Sequence, residues 1–236
     1  MQFYFIMKKQ WLKRRILFGL AQFPKRLIRL FTYPLSPFYA PQNGGSRFRT
    51  FPLLLADCLF IVDMYEIFTN LYKTSARPLT AREILRGGEI FGNSIDFQLV
   101  MIDDYAKMLT RRLHVIYVGA NTINSWGAFA DDYLIHELVH VWQYQHFGAG
   151  YVACALKAQD SPAGYNYAYP IHQHVHDEAW FEKPSFLNFN AEQQGDLVQD
   201  YFKIKNGLKA EWCDFKPADL SKLEKYILEI KSMRIH

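Results

Sequence analysis

Apolar residues recur every three to four positions over several stretches of the chain, and these stretches place its helices. Leu12, Ile16, Leu20, Phe23, Leu27 and Leu30 fall roughly on one side of a first helix. The segment 36–52, SPFYAPQNGGSRFRTFP, is rich in proline, glycine and serine and reads as a linker. Residues 53–73 are mostly apolar and predict a largely buried helix. RPLTAREILRGGEIFG then opens on a capping box, Thr80 with Glu83, and its helix is expected to end near Gly87 and Gly88. FQLVMI (97–102) and LHVIYV (113–118) are enriched in strand formers. GANTINSWGAFADD reads as a loop, followed by a helix through LIHELVHVWQYQHFG (134–148) that Asp131 or Asp132 can cap. From 148 to 190 there is little periodicity. NAEQQGDLVQDYFKIK reads as a helix capped by Asn190. PADLSKLEKYILEIK closes as an amphipathic helix, with Leu220, Leu223, Ile227 and Ile230 on one face and Pro217 near its start. No internal repeat is present. The pattern predicts an α+β domain over 53–236, mainly helical with a small sheet beside the 134–148 helix. An arm and linker over 1–52 precede it.

Composition sharpens this picture in two places. Half of the 236 residues are hydrophobic, enough for a sizeable core and against a disordered chain. Charge is unevenly spread. Residues 1–56 carry 10 Lys/Arg and no carboxylate, which leaves 17 of the 27 cations against all 23 acids in the remainder. A basic arm on a mildly acidic body points to an anionic partner. One reading of the arm is a helix on an anionic membrane surface; the other is a helix docked on the body with its cations in solvent. Nucleic acid is not expected, since no recognition motif accompanies the charge. The apolar run ILFGLA is too short for a signal-peptide core, and Asp57, Asp63 and Glu66 argue against a transmembrane helix over 53–72. Cys58, Cys154 and Cys213 are scattered and read as free thiols. The chain is therefore expected to be cytoplasmic, peripheral at a membrane, or exported without a cleavable signal.

The chemistry concentrates in His136-Glu137-Leu138-Val139-His140, an H-E-x-x-H motif. One turn apart on a helix, the two imidazoles can reach one zinc ion, and Glu137 beside them can act as general base toward a water on it. At ordinary residue frequencies the motif arises by chance in under about one chain in a hundred. A zinc site of this kind needs a third protein ligand. His146 has the sequence spacing of one zincin clan, but Gln143 stands where that clan has its helix-breaking glycine. On an unbroken helix His146 rises about 9 Å beyond His140 and points about 120° away. Glu192 is the stronger candidate. Glu192 and Asp196 form E-x-x-x-D on one helix face, a ligand carboxylate with a second carboxylate to orient a zinc-bound histidine. Gly195, on nearly the same face, would let the two helices approach closely. In YNYAYPIHQHVH, Tyr167 is the favoured oxyanion donor among neighbouring tyrosines and histidines. His172, His174 and His176 could instead form a second metal site.

HELVHVWQYQ followed about 50 residues later by FNAEQQGDLVQDYF resembles the Vgr-related, Rhs-element-associated group of bacterial zinc metallopeptidases. RPLTAREILRGGEIFGNSIDFQLVMI also resembles the segment before the metal helix in that group, so the likeness runs from about Arg77 to Phe202. It implies a compact zincin-like domain of the gluzincin type, with His136, His140 and Glu192 as zinc ligands and Glu137 as base. It also implies an association with type VI or related contractile secretion, with a secretion-apparatus protein as partner. The arm and the histidines at 172–176 lie outside it. The expected activity is zinc-dependent cleavage of a peptide or protein substrate, aligned along an edge strand such as 113–118. The alternative is a zinc-binding module without turnover, at a secretion apparatus or membrane surface.

Overall fold

The computed structural model describes residues 2–40, 47–107, 110–168, 185–213, 217 and 220–235. The elements run α1 (Gln2–Thr32), α2 (Arg47–Cys58), α3 (Ile61–Tyr72), β1 (Ala76–Pro78), α4 (Ala81–Phe91), β2 (Met101–Asp103) and α5 (Thr110–Leu113). They continue with β3 (Tyr117–Gly119), β4 (Thr122–Asn124), α6 (Asp131–Phe147), α7 (Tyr151–Gln159), α8 (Ala191–Lys205) and α9 (Leu220–Ser232). The class is α+β and mainly helical, with one small mixed sheet. Its strand order is β1-β2-β4-β3, with β2 and β4 parallel and both outer pairs antiparallel. The sheet packs beside α6 through β3 and β4.

The core centres on α6 and α8, which are buried along nearly their whole lengths. Leu134, Ile135, Leu138, Val139 and Trp142 of α6 meet Leu197 and Val198 of α8, with α9 closing over Phe186 and Phe189. Both helices also bury polar residues, and Gln143, Gln194 and Asp200 are hydrogen-bonded within the interior. Two N-termini follow from local sequence. Thr80 and Glu83 form the expected capping box of α4, and Asn190 with Gln193 forms another at α8.

Several expectations are corrected. The helix over 53–73 is two helices, because Phe60 takes a left-handed conformation (φ 57°) between α2 and α3. Its ring stacks on Phe23 and lies under the Arg26 guanidinium, contacts from a distant helix that hold the break. α4 continues through Gly87 to Phe91, because Gly87 serves packing and not termination. A Cβ there would lie 2.6 Å from Phe97 and 3.0 Å from Leu138. FQLVMI begins as a helical turn over Phe97–Leu99, since the Asp96 side chain accepts the Gln98 N–H, and only then enters β2. The strand expected over 113–118 is confined to β3, and the supposed loop after it contains β4. Ala130, not an aspartate, is the N-cap of α6; Asp131 and Asp132 sit in its first turn and bind Arg82 and Gln199. The aperiodic stretch after 148 contains α7.

The arm is docked, but not by the apolar side. Trp11, Arg15, Gln22, Arg26 and Leu30 of α1 are buried, while Ile16, Leu20, Phe23 and Leu27 are exposed. Arg15 donates to Asp63 and Glu66, both at 2.6 Å, and to the Tyr144 hydroxyl at 3.0 Å. Arg26 pairs with Asp63 and donates to the Asp57 carbonyl. Glu66 in turn accepts from the backbone of Asn121 and the Thr122 hydroxyl, which ties α1 through α3 to the sheet. The cations expected in solvent are thus in part the anchor. The boundary expected at residue 52 falls inside α2.

Candidate metal centre

α6 presents His136 and His140 one turn apart toward α8, with ring centroids 5.1 Å apart. α8 presents Glu192 from its first turn to the same point. The Glu192 Oε2 lies 3.5 Å from His136 Nε2 and 3.4 Å from His140 Nε2. One ligand atom from each of the three residues falls within 4.8 Å of the others, and all three residues are buried. With metal–ligand bonds of about 2.0–2.1 Å, the edge of a tetrahedral zinc site is about 3.4 Å. The spacing therefore fits a shared cation and is long for a direct hydrogen bond.

Each imidazole is oriented through its other nitrogen. Asp196 Oδ1 stands 2.8 Å from His136 Nδ1, so this carboxylate occupies the place expected for it. The remaining Asp196 oxygen accepts from the Trp212 indole. His140 Nδ1 contacts Gln143 Oε1 at 2.9 Å. Gln143 donates onward to the Ala191 carbonyl and Gln194 Oε1, both 2.9 Å, across the helix interface. Gln159 of α7 donates to Glu192 Oε1 at 2.9 Å, which leaves Oε2 toward the histidines. Gln143, Gln159 and Trp212 were not foreseen. A glutamine at His140 plus three is a signal that becomes readable only once a neighbouring helix is known.

Close approach of α8 depends on Gly195. A Cβ at that position would lie 2.5–2.8 Å from three atoms of the His136 ring. Glu137 is buried, and its Oε2 has no hydrogen-bond partner in the protein. An unpaired buried carboxylate oxygen costs at least about 1–3 kcal/mol, and this residue lines the cleft. Burial raises the Glu137 pKa, partly offset by His136 and His140. Burial would also raise Glu192, but the close positive potential of His140 and His136 holds it far below the usual glutamate range.

The cleft has a volume of about 860 Å³ and is floored by His136, Glu137, His140 and Glu192. His114 to Val118, leading into the edge strand β3, line one wall. Tyr165 lines another, its ring 6.0 Å from that of His136. Tyr167, the tyrosine expected at the oxyanion, points elsewhere. It is fully buried, and its hydroxyl donates to Asp200 at 2.8 Å and contacts Cys213 at 3.0 Å. His146 is also apart from the centre. Its Nε2 contacts the Ser94 carbonyl at 2.8 Å, and its own carbonyl accepts from Arg29 of α1. Burial lowers its pKa to about 4, so it is a neutral structural histidine at ordinary pH. His172, His174 and His176 lie outside the described residues.

No family model matches the chain, and neither does any solved structure. Among curated proteins, the type VI secretion system spike protein VgrG2b of Pseudomonas aeruginosa is 30% identical over 146 residues. That stretch is 56% of this chain and 13% of the spike protein, so the chain spans a small part of the relative it matches.

Proposed function

We propose that this Vgr-related chain is a zinc-dependent endopeptidase acting with a contractile, type VI-like secretion apparatus. The carrying observation is the convergence of His136 Nε2, His140 Nε2 and Glu192 Oε2, with both Nδ1 atoms already engaged by Asp196 and Gln143. This donor set of two imidazoles and a carboxylate suits zinc and leaves a fourth position open. Zinc, when held there, supplies Lewis acidity toward a scissile carbonyl and lowers the pKa of water.

The chain's own residues do the rest. Glu137 takes the proton of the attacking water and returns it to the leaving amine. Asp196 and Gln143 fix the histidine tautomers and rings. Tyr165, at the cleft wall with its ring 6.0 Å from that of His136, is the candidate donor to the developing oxyanion. The edge strand β3, whose Val118 carbonyl accepts from the Tyr151 hydroxyl at 2.6 Å, is the element along which an extended peptide can lie. The secretion link rests on the similarity to the spike protein and reaches only the matched stretch.

The test is a peptide-library digest with zinc content measured in parallel. Glu137→Gln should keep stoichiometric zinc and lose about 10²–10⁴-fold in rate, whereas Glu192→Ala should lose zinc. Undiminished cleavage by Glu137→Gln would overturn the mechanism. Stoichiometric zinc in the wild type with no cleavage of any library member would favour a binding module instead.

A further inference from the structure

We propose that the outer face of α1, continued by the α2–α3 turn, is a docking surface for an anionic phospholipid bilayer. The proposal is independent of the metal centre and starts from the inverted orientation of α1. Its basic residues Arg15 and Arg26 face inward, so the apolar side has been left outward. Ile16 is 47% exposed, Leu20 58%, Leu27 44% and Phe31 75%. Spacings of four, seven and four put these residues on one stripe. Phe23 stacks on Phe60 at 5.7 Å and carries the stripe to the α2–α3 turn, where Leu59 and Ile61 are also exposed. A contiguous apolar surface of this kind marks an interaction site.

Charge identifies the occupant. Asp57, Asp63 and Glu66 are the first three carboxylates of the chain, and all are buried. Arg15, Arg26 and Arg29 pair with them. No exposed carboxylate therefore occurs in residues 1–72. Lys9 and Lys13 are exposed, and they extend the apolar stripe toward the N-terminus of α1 by the same helical spacing. An apolar stripe continued by cations, with acids removed inward, is complementary to acyl chains beneath anionic headgroups. A second copy of the same face would bring cation against cation with no acid to answer it. No helix among the described residues is long and apolar enough to cross a membrane, so α1 would lie in the plane of the interface.

The experiment is co-sedimentation of the full chain with phosphatidylcholine vesicles, with and without about 30% phosphatidylglycerol. Binding is expected to be at least about tenfold tighter on the anionic vesicles and to weaken with added salt. Ile16→Glu/Leu20→Glu/Leu27→Glu changes only exposed positions and should lose binding by at least about tenfold, with an unchanged melting curve as the folding control. Lys9→Gln/Lys13→Gln is a second variant, at two exposed side chains, with an expected loss of about fivefold per cation. The proposal fails if the wild type stays in the supernatant, or if the triple-glutamate variant binds as well as wild type. It also fails if that variant abolishes a concentration-dependent dimer while neither protein binds vesicles.

Discussion

Gly195 decides how near α8 comes to His136, and it does so against helix propensity. Alanine in a helix interior is favoured over glycine by about 1 kcal/mol. Here the added methyl would sit within 2.8 Å of the imidazole, and that ring is held from the other side by Asp196. The clash should win. Gly195→Ala is expected to weaken zinc binding about 10–100-fold, the range seen when an orienting contact to a metal ligand is lost, while far-UV circular dichroism stays near wild type. Zinc affinity equal to wild type would show that the ring has room to shift. At this scale the residues that converge in the cluster were legible. His136 and His140, and Glu192 and Asp196, are each four apart on a helix, and that spacing alone puts each pair on one face. Gln159 and Trp212 were not legible, because their partners come from another element, and Gln143 was not because its amide is aimed at His140 by bonds to α8. Tyr167, expected at the cleft, is buried against Asp200 instead, for a similar reason. Its neighbours could be ranked only after α7 and α8 had fixed which of them meets the cleft.

α1 shows why an amphipathic pattern does not by itself tell which side docks. The periodicity of Leu12, Ile16, Leu20 and Phe23 correctly predicts a helix. The usual inference that the apolar face packs inward fails, because Asp63 and Glu66 of α3 are buried and require cations. Arg15 supplies one from the opposite face. Removing a partner from a buried ion pair leaves an uncompensated charge, at a cost of about 3–5 kcal/mol. Arg15→Met should therefore lower stability by about that amount in urea unfolding. Arg14→Met is the matched control, since Arg14 pairs with Asp96 at the surface, where such a pair contributes about 0–1 kcal/mol. Equal midpoints for the two variants would mean that the inward arginines do not anchor α1. The break at Phe60 has the same origin. Nothing local ends the apolar run at 59–60, and the aromatic and cationic neighbours of Phe60 come from α1.

For the whole molecule, class and helix order could be read from pattern, but the sheet could not. Its strands are three residues each, too short for an alternating period to register, and β4 lies beside β2 only through a parallel crossover. What the assembled fold adds is a core that does not pass through the candidate metal centre. Small zinc domains unfold when the ion is removed, because the ion replaces a core they lack. Here α6 and α8 are joined by Leu134, Leu138, Trp142, Leu197 and Val198, all within one large apolar cluster that also takes in α9. Gln143 further bridges the two helices through the Ala191 carbonyl and Gln194 Oε1. The metal-free protein is thus expected to remain folded. A ligand that binds only the folded state at a thousand times its Kd stabilises by about 4 kcal/mol, and for a chain of this size that shifts Tm by about 8–16 °C. Chelation should lower Tm by no more than that range and leave one cooperative transition, with full recovery when zinc is returned. Loss of the transition on chelation would mean that the ion, and not the α6–α8 interface, holds the domain together.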